Sequence, residues 1–460
     1  MEMSLKSKMN TFFIKSKMNT TISSLFIYCT THSPLISSSS LSIASSFIFE
    51  HSQSTRLFNT FFSSFMKRPK LYFYQNKFSY LLSNAIYISS LIFKNNTYFV
   101  PQKMVDTPPL HIIGCVFYCI NSYESDGGGI SIDLSSSSIA NCDFKMTDSG
   151  FYKCSSSHRC GAADIISPNS LLSGNCFSNC YSDSIQSLSL KASIGESLFA
   201  MNFTSIFSCA PSRSDGNQYS LHIQSISQYS GINNFNSSHC CLRKDTAGIG
   251  FMYAPMVKMQ YVEFASSISQ SLITNVGANN STFCKMIVYN NTVIGDVVGT
   301  LIDVAIGTLD VTDSIFIANN KLSFQAKFWA ELTLHNCYFS NEIEEFGMDG
   351  KLITLNNHVD ENIKTTHLEI LETHQCWDGF KHETLNRFEK ISLRYLTTVT
   401  YGLSFIGVVI LFMLLKRIYF FGLKRRKLRR LELEEIEQNT RFSRKSLHIN
   451  GDNDIDYDIV

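Results

Sequence analysis

Beyond Pro109 the chain keeps returning to one kind of segment: an alternating apolar run, then Cys or Asn, then an aromatic, then a small polar residue. His111–Cys119 (HIIGCVFYC), Leu171–Cys180 (LLSGNCFSNC), Leu309–Asn320 (LDVTDSIFIANN) and Leu332–Asn341 (LTLHNCYFSN) are instances. Between them lie runs that open on Gly or Ser and then alternate, such as Gly127–Leu134 (GGGISIDL), Gly161–Ile166, Gly248–Tyr253 and Gly350–Leu355. The aromatics Phe117, Phe144, Phe177, Phe203, Phe235, Phe264, Phe283, Phe316 and Phe339 recur at roughly 20 to 33 residues, a period for a repeat array. Alternation with period two marks strands, and no amphipathic helix interrupts them. A short alternating strand buries its apolar face only if something covers it, and stacked coils cover one another in a continuous core. The expectation is therefore an all-β chain folded as a parallel β-helix (solenoid) over residues 110–356. About nine coils would make a rod roughly 40–45 Å long. Glycine suits its tight corners, and Asn or Cys suits stacked ladders. A leucine-rich-repeat solenoid is the alternative, because LTLHNCYFSN fits its L-x-L-x-x-N/C core. The rest of that frame does not recur at constant spacing.

Tyr395–Leu415 (YLTTVTYGLSFIGVVILFMLL) has a different character: 21 residues with no charge between Arg394 and Lys416. As a helix it would cover the hydrocarbon thickness of a bilayer, roughly 30 Å. Lys416, Arg417, Lys424, Arg425, Arg426, Lys427, Arg429 and Arg430 follow, a stop-transfer cluster that places residues 416–460 in the cytoplasm. The expected organisation has a C-terminal transmembrane helix at 395–415, with the N-terminal region outside the cell. Residues 57–109 read as an aromatic N-terminal cap or first strands, and 357–394 as a terminal coil or stalk. Residues 1–56 read as poorly defined, with a weak candidate export segment at Ile22–Cys29.

Composition agrees with that arrangement and excludes several function classes. A net charge of +1 with 17% charged residues lacks the broad basic face of a nucleic-acid binder. All 14 cysteines precede the uncharged stretch. So do the N-x-S/T acceptors Asn95, Asn202, Asn236, Asn279, Asn280 and Asn290, with a further one at Asn19. An oxidising compartment permits disulfides, whose pairing sequence does not reveal. Asp133, Asp143, Asp164, Asp303, Asp310 and Asp313 occur singly, and read as solvated turn and outward-face residues rather than paired hydrolytic carboxylates. His358, His367, His374, Cys376 and His382 lack the tight spacing of a zinc site. Cys115/Cys119 and Cys176/Cys180 share a C-x₃-C spacing that reads as core packing or ladder disulfides. No phosphate-cradling loop, catalytic constellation, metal site or cofactor site is expected. The chain ends Tyr457-Asp458-Ile459-Val460, which fits a Y-x-x-Φ signal read by sorting machinery.

Gly127–Ile130 (GGGI) is similar to the GGA[I/L/V] repeat of polymorphic outer-membrane-protein-type sequences, and Phe316-Ile317-Ala318-Asn319 matches their FxxN companion. Phe117-Tyr118-Cys119, Cys176-Phe177-Ser178-Asn179 and Tyr338-Phe339-Ser340-Asn341 are looser variants. The layout over residues 57–430 resembles the trichomonad family of such proteins. That resemblance implies a right-handed β-helix ectodomain, one C-terminal membrane helix and a basic tail, without the bacterial outer-membrane barrel. The implied role is a cell-surface adhesion or recognition module for an extracellular glycan or protein. A polysaccharide-acting enzyme and a structural coat protein are the competing expectations.

Overall fold

In a computed structural model, the chain is described over residues 20–361 apart from short internal segments, the longest being 38–45, 102–108, 135–142 and 210–218. Residues 412–441, apart from 418 and 439, are also described. The described residues of the first range, 20–361, are all-β. Parallel pairing carries a first strand from coil to coil: Thr20–Ser23, Ser46–Glu50, Lys70–Tyr74, Leu110–Ile113, Asp143–Thr147, Asn169–Ser173, and then segments of Leu198–Phe207, Tyr229–Ser238, Val257–Ala265, Ser271–Tyr289 and Thr300–Thr312, ending with Glu331–His335 and Lys351–Leu355. These are thirteen rungs among the described residues, about 58 Å at the usual strand spacing. A second strand runs from Phe26–Thr30 to His358–Val359, and a third from Ile36–Ser37 to Glu344–Glu345. Three strands per coil and three long parallel sheets are the pattern of a β-solenoid. A leucine-rich horseshoe contributes one strand per repeat to its sheet, so this pairing disfavours that alternative.

The corner between first and second strands is one left-handed residue. It is Ser24, His51, Gln75, Gly114, Asp148, Gly174, Phe203, Asn234, Tyr261, Lys285, Asp313, Asn336 and Asn356 in successive coils, with φ between 48° and 66°. The corner turns the chain without breaking the ladder. Its outermost donor stays inside the stack: Gln75 N–H bonds Ile113 O at 2.8 Å and Gly114 N–H bonds Thr147 O at 2.9 Å. The next residue points inward and caps its neighbours. Asn76 Nδ2 donates to Phe49 O at 2.9 Å, while its Oδ1 accepts from Ser52 N at 2.9 Å. Asn175 and Asn357 repeat this capping in their own coils.

After the second strand a second left-handed corner follows, from Arg56 through Cys119, Lys153 and Asn290 to Ala318. The buried residue behind it is Cys154, Cys180, Cys209, Cys240, Ser267, Asn291 and Asn319 in consecutive coils. This explains FxxN: Phe316 enters the core, Ala318 takes the left-handed corner at φ 52°, and Asn319 donates to Val288 O at 2.9 Å. GGGI has an equally local cause, because a Cβ on Gly128 would stand 2.1 Å from Gly161 O of the next coil.

Apolar side chains from the three sheets meet along one axis. The second strands stack Phe78, Phe117, Phe151 and Phe177 ring on ring, the closest pair, Phe117 and Phe151, at 4.4 Å and 6°. Phe316 and Phe339 continue the column at 5.2 Å. The aromatic series read from sequence mixes columns: Phe144 and Phe283 belong to the first sheet, Phe235 follows a corner, and Phe203 is a corner residue 47% exposed.

The described residues already pair in a regular ladder from Thr20, where the sequence reads a poorly defined N-terminus up to residue 56 and a cap or first strands over 57–109. Ile22–Cys29, read as a weak export segment, lies in paired strands of the first coil. In the second unit, Lys381–Val460, residues 412–417 and 419–438 are helical and exposed, so the helix runs through the basic cluster and the acidic Leu431–Gln438. Among the described residues no helix is long and apolar enough to cross a membrane. Residues 395–411 of the candidate span lie outside them.

These columns predict opposite outcomes for two phenylalanines. Phe151→Ala should lower unfolding stability by about 3–5 kcal/mol, because it opens a cavity between two stacked rings. Phe203→Gly should raise stability by about 0.5–1 kcal/mol by relieving a left-handed non-glycine corner. Urea unfolding of the two variants beside the parent checks both signs.

Candidate functional site

Two regions of the solenoid carry side chains that the core does not use. The first lies on the outer side of the third sheet. Inward positions there are apolar, as at Ile130 and Ile132, Ala163 and Ile165, Leu188 and Leu190, and Leu221 and Ile223. The alternate residues Ser131, Asp164, Ser189 and His222 pair directly across four consecutive rungs. Although they face away from the core, all four are buried, Asp164 with only 5% of its surface exposed. Part of the cover is Tyr219, whose ring stacks on His222 at 5.2 Å. That ring lies where the next rung has Gly250, at which a Cβ would come within 2.4 Å of it. Cys160 Sγ lies 3.6 Å from Asp164 Oδ1. Farther along the same sheet, Lys327 Nζ pairs with Asp303 Oδ2 at 2.7 Å beside buried Gln325.

Burial sets the electrostatics of this column. Loss of water pushes the Asp164 carboxyl up, against the opposing pull of Arg159. The Cys160 thiol is pushed well up, first by burial and then by Asp164, which leaves it protonated and unreactive. His222 is lowered to about 4, first by burial and then by the Arg159 charge, so its imidazole is neutral at pH 7. Asp164 and His222 stand two rungs apart, roughly 9–10 Å along the axis, so neither orients the other. A nucleophile, base and orienting group in mutual contact are not assembled here. Among the described residues, no three His, Cys, Asp or Glu side chains converge to hold a metal.

The second region is the pair of corner ridges. Left-handed corner residues project outward in register, one per rung, with exposed His51, Gln75, Asp148, Lys285, Asp313 and Asn356 on the first ridge. Exposed Arg56, Tyr80, Lys153, His239 and Asn290 stand on the second. Neighbouring rungs contact each other along them: Lys285 Nζ donates to Tyr261 Oη at 2.9 Å, Asn336 Nδ2 to Asp313 Oδ1 at 2.5 Å, and Asn290 Nδ2 to Ser266 Oγ at 3.0 Å. Sequence reading missed these residues because they share a backbone conformation rather than a residue type. Their signal is positional: each stands three residues before the core member of the second strand, or two after it.

The sequence candidates scatter over these features. Asn280 and Asn290 are exposed left-handed residues, and Asn202 is half-buried. Asn236 is a correction: only 5% of it is exposed, which leaves no room for a glycan on the folded chain. Asn19 and Asn95 lie outside the described residues, and the side chain of Asn279 is not described. Asp164 and Asp303 are buried, against the solvated reading, whereas Asp310 and Asp313 are exposed as expected. The two C-x₃-C spacings fall out of step, because Cys115 lies one position before the rung partner of Cys176. Cys176 is disulfide-bonded, Cys115 is free, and Cys180 belongs to the thiol column with Cys154, Cys209 and Cys240. His358 is exposed, while His367, His374, Cys376, His382, Tyr457 and Val460 lie outside the described residues. Lys416, Arg417, Lys424, Arg425, Arg426, Lys427, Arg429 and Arg430 are exposed on the helix.

No family model, curated protein or solved structure matches the chain.

His222 gives this region a measurable pH signature. Its pKa is depressed on folding, so its contribution to stability is present above about pH 6.5 and is lost as pH falls toward 4. The stability of the parent relative to His222→Gln should fall by about 3 kcal/mol between pH 7 and pH 4. Equal pH slopes for parent and variant in urea unfolding would show that the imidazole is not held neutral.

Proposed function

We propose that this chain is a single-pass surface membrane protein whose right-handed β-helix ectodomain is an adhesion or recognition module. In this reading Tyr395–Leu415 crosses the bilayer, the basic cluster from Lys416 to Arg430 rests against cytoplasmic headgroups, and Tyr457–Val460 is offered to sorting machinery. The observation that carries it is the pair of corner ridges, which present one side chain per rung, of varied type, at one fixed spacing. A glycan or protein ligand laid along such a ridge meets many weak, evenly spaced contacts, and these add as multivalent binding adds. The mixed charges of Arg56, Asp148, Lys153, Lys285 and Asp313 suit an uncharged or zwitterionic ligand better than a polyanion. The polysaccharide-cleaving alternative draws little support from the outer face, where Asp164 is buried and Asp303 is paired with Lys327.

The test is protease shaving of intact cells that carry a C-terminal epitope tag. Trypsin should reduce the tagged protein to a short fragment of span and tail. Cleavage only after permeabilisation would overturn the surface reading. With the surface position established, replacing Lys153, Lys285 and Asp313 together by Ser should lower cell attachment several-fold while urea unfolding changes by less than about 1 kcal/mol, since exposed sites carry little stability.

A further inference from the structure

The last coils carry a feature that recognition along the corner ridges does not use. At the junction from the third sheet back to the first, Lys327-Phe328-Trp329-Ala330 closes a tight turn, with Ala330 N donating to Lys327 O at 2.8 Å. Both central residues are left-handed, φ 45° at Phe328 and 64° at Trp329. That combination normally selects Asn-Gly. Two bulky aromatics here hold a strained backbone, yet Phe328 is 63% and Trp329 92% exposed. Nothing in the core is gained by placing them there.

The turn does not stand alone. Pairing of Val304 with Ala326 and of Thr308 with Glu331 sets Ile306 and Gly307 on the rung before it. Pairing of Val276 with Ile306 and of Ala278 with Gly307 sets Gly277 one rung earlier. A Cβ on Gly277 would lie 3.3 Å from the Tyr253 ring of the rung before that. Tyr253, Ile306, Phe328 and Trp329 are exposed, so three of four consecutive rungs place an apolar side chain on one edge of the C-terminal coils, over about 14 Å, with Gly277 on the intervening rung. Of the charges beside it, Lys327 is engaged by Asp303 and exposed Lys351 lies 3.7 Å from Glu331, while exposed Asp349, whose carbonyl accepts the Trp329 N–H at 3.3 Å, leaves one carboxylate at the edge.

We infer that this edge seats in the interfacial layer of the bilayer that anchors the chain. The inference rests on the membrane-anchored reading proposed above. Trp and Tyr concentrate at membrane–water interfaces, and Trp, Phe and aliphatic residues line the buried side of interfacial anchors. In chain order the ridge also belongs to the last coils before the uncharged span. Residues 362–394 separate the last described rung from Tyr395, and even an unstructured connection of that length averages only roughly 30 Å. With its cations paired, the edge should bind zwitterionic lipid without needing anionic headgroups.

The chain has two tryptophans, Trp329 and Trp377, so Trp377→Phe leaves a single reporter. Full-length protein with that change is reconstituted in phosphatidylcholine vesicles whose acyl chains carry bromine near the headgroup. The expected result is protein that resists carbonate extraction, with Trp329 emission shifted to the blue and quenched several-fold more by bromolipid than by plain lipid. A second reporter, Tyr253→Trp with both native tryptophans replaced by Phe, should behave likewise. Tyr80→Trp in the same background stands on the second corner ridge and should not be quenched. Protein that resists carbonate but leaves Trp329 and the Tyr253 reporter unquenched overturns this inference alone. Protein stripped by carbonate overturns the anchored reading and this inference with it. An N-glycan on Asn280 also overturns it, because Asn280 bonds Thr308 on the same edge and a glycan there would hold it away from lipid.

Discussion

Every other property of this solenoid depends on a corner made by one residue near φ 50°, repeated in register on each rung. The single left-handed residue swings the strand direction while keeping its own N–H bonded to the coil above. The three sheets can therefore stack without a break at that corner. The inward residue that follows meets carbonyls of the neighbouring coil, which explains why Ser, Asn and Cys collect there and why their side chains bond across rungs. Remove this corner and the phenylalanine column, the amide caps and the register of the outer faces lose their common origin.

That constraint also sets what the sequence could reveal. Alternation identifies strands because inward and outward residues must differ, and Gly128 and the Phe316–Asn319 motif are legible because each serves a contact that few residues can make. The corner column is not legible by type. Ser24, His51, Phe203, Tyr261 and Lys285 share a conformation that none of them prefers, held by the stacked hydrogen bonds on both sides. Tertiary pairing outweighs a local preference of about 1–2 kcal/mol. The first coils were missed for a related reason. Thr20–Glu50 pairs as regularly as later coils but carries neither Gly-Gly nor a Cys-aromatic step, the two signals on which the repeat was recognised. Unequal sequence spacing between successive first strands blurs the period, so aromatics of different columns fall into one series.

The outer polar column shows a different limit. Asp164, Ser189 and His222 alternate with the inward residues, and Asp164 reads from sequence as solvated. Alternation says nothing about what lies over their outward face. Tyr219 arrives from outside the strand pattern and stacks on His222, and Gly250 leaves room for its ring. The burial that results keeps His222 neutral and Cys160 protonated at pH 7. A buried polar group is costly unless it is satisfied, and His222 Nδ1 has no hydrogen-bond partner among the described residues, so this column weighs on stability before it is a site.

A scaffold of this kind separates what must be kept from what is free to vary. Core columns tolerate few residue types, since each inward side chain touches the rungs above and below. Corner residues point into solvent, and any type fits at the modest cost of a left-handed backbone, as the range from Gly174 through Asp148 to Tyr261 shows. Two substitutions on neighbouring rungs sit roughly 4.8 Å apart whatever their chemistry, because the ladder fixes the spacing. A surface can thus diverge in charge, size and hydrogen bonding while its geometry stays constant. That is the requirement for recognising varied extended ligands, and it argues that function should be sought along the ridges rather than in a pocket. The Phe328–Trp329 turn is the informative exception: there the same backbone freedom is spent on two exposed aromatics that add nothing to the core, in the last coils of the solenoid.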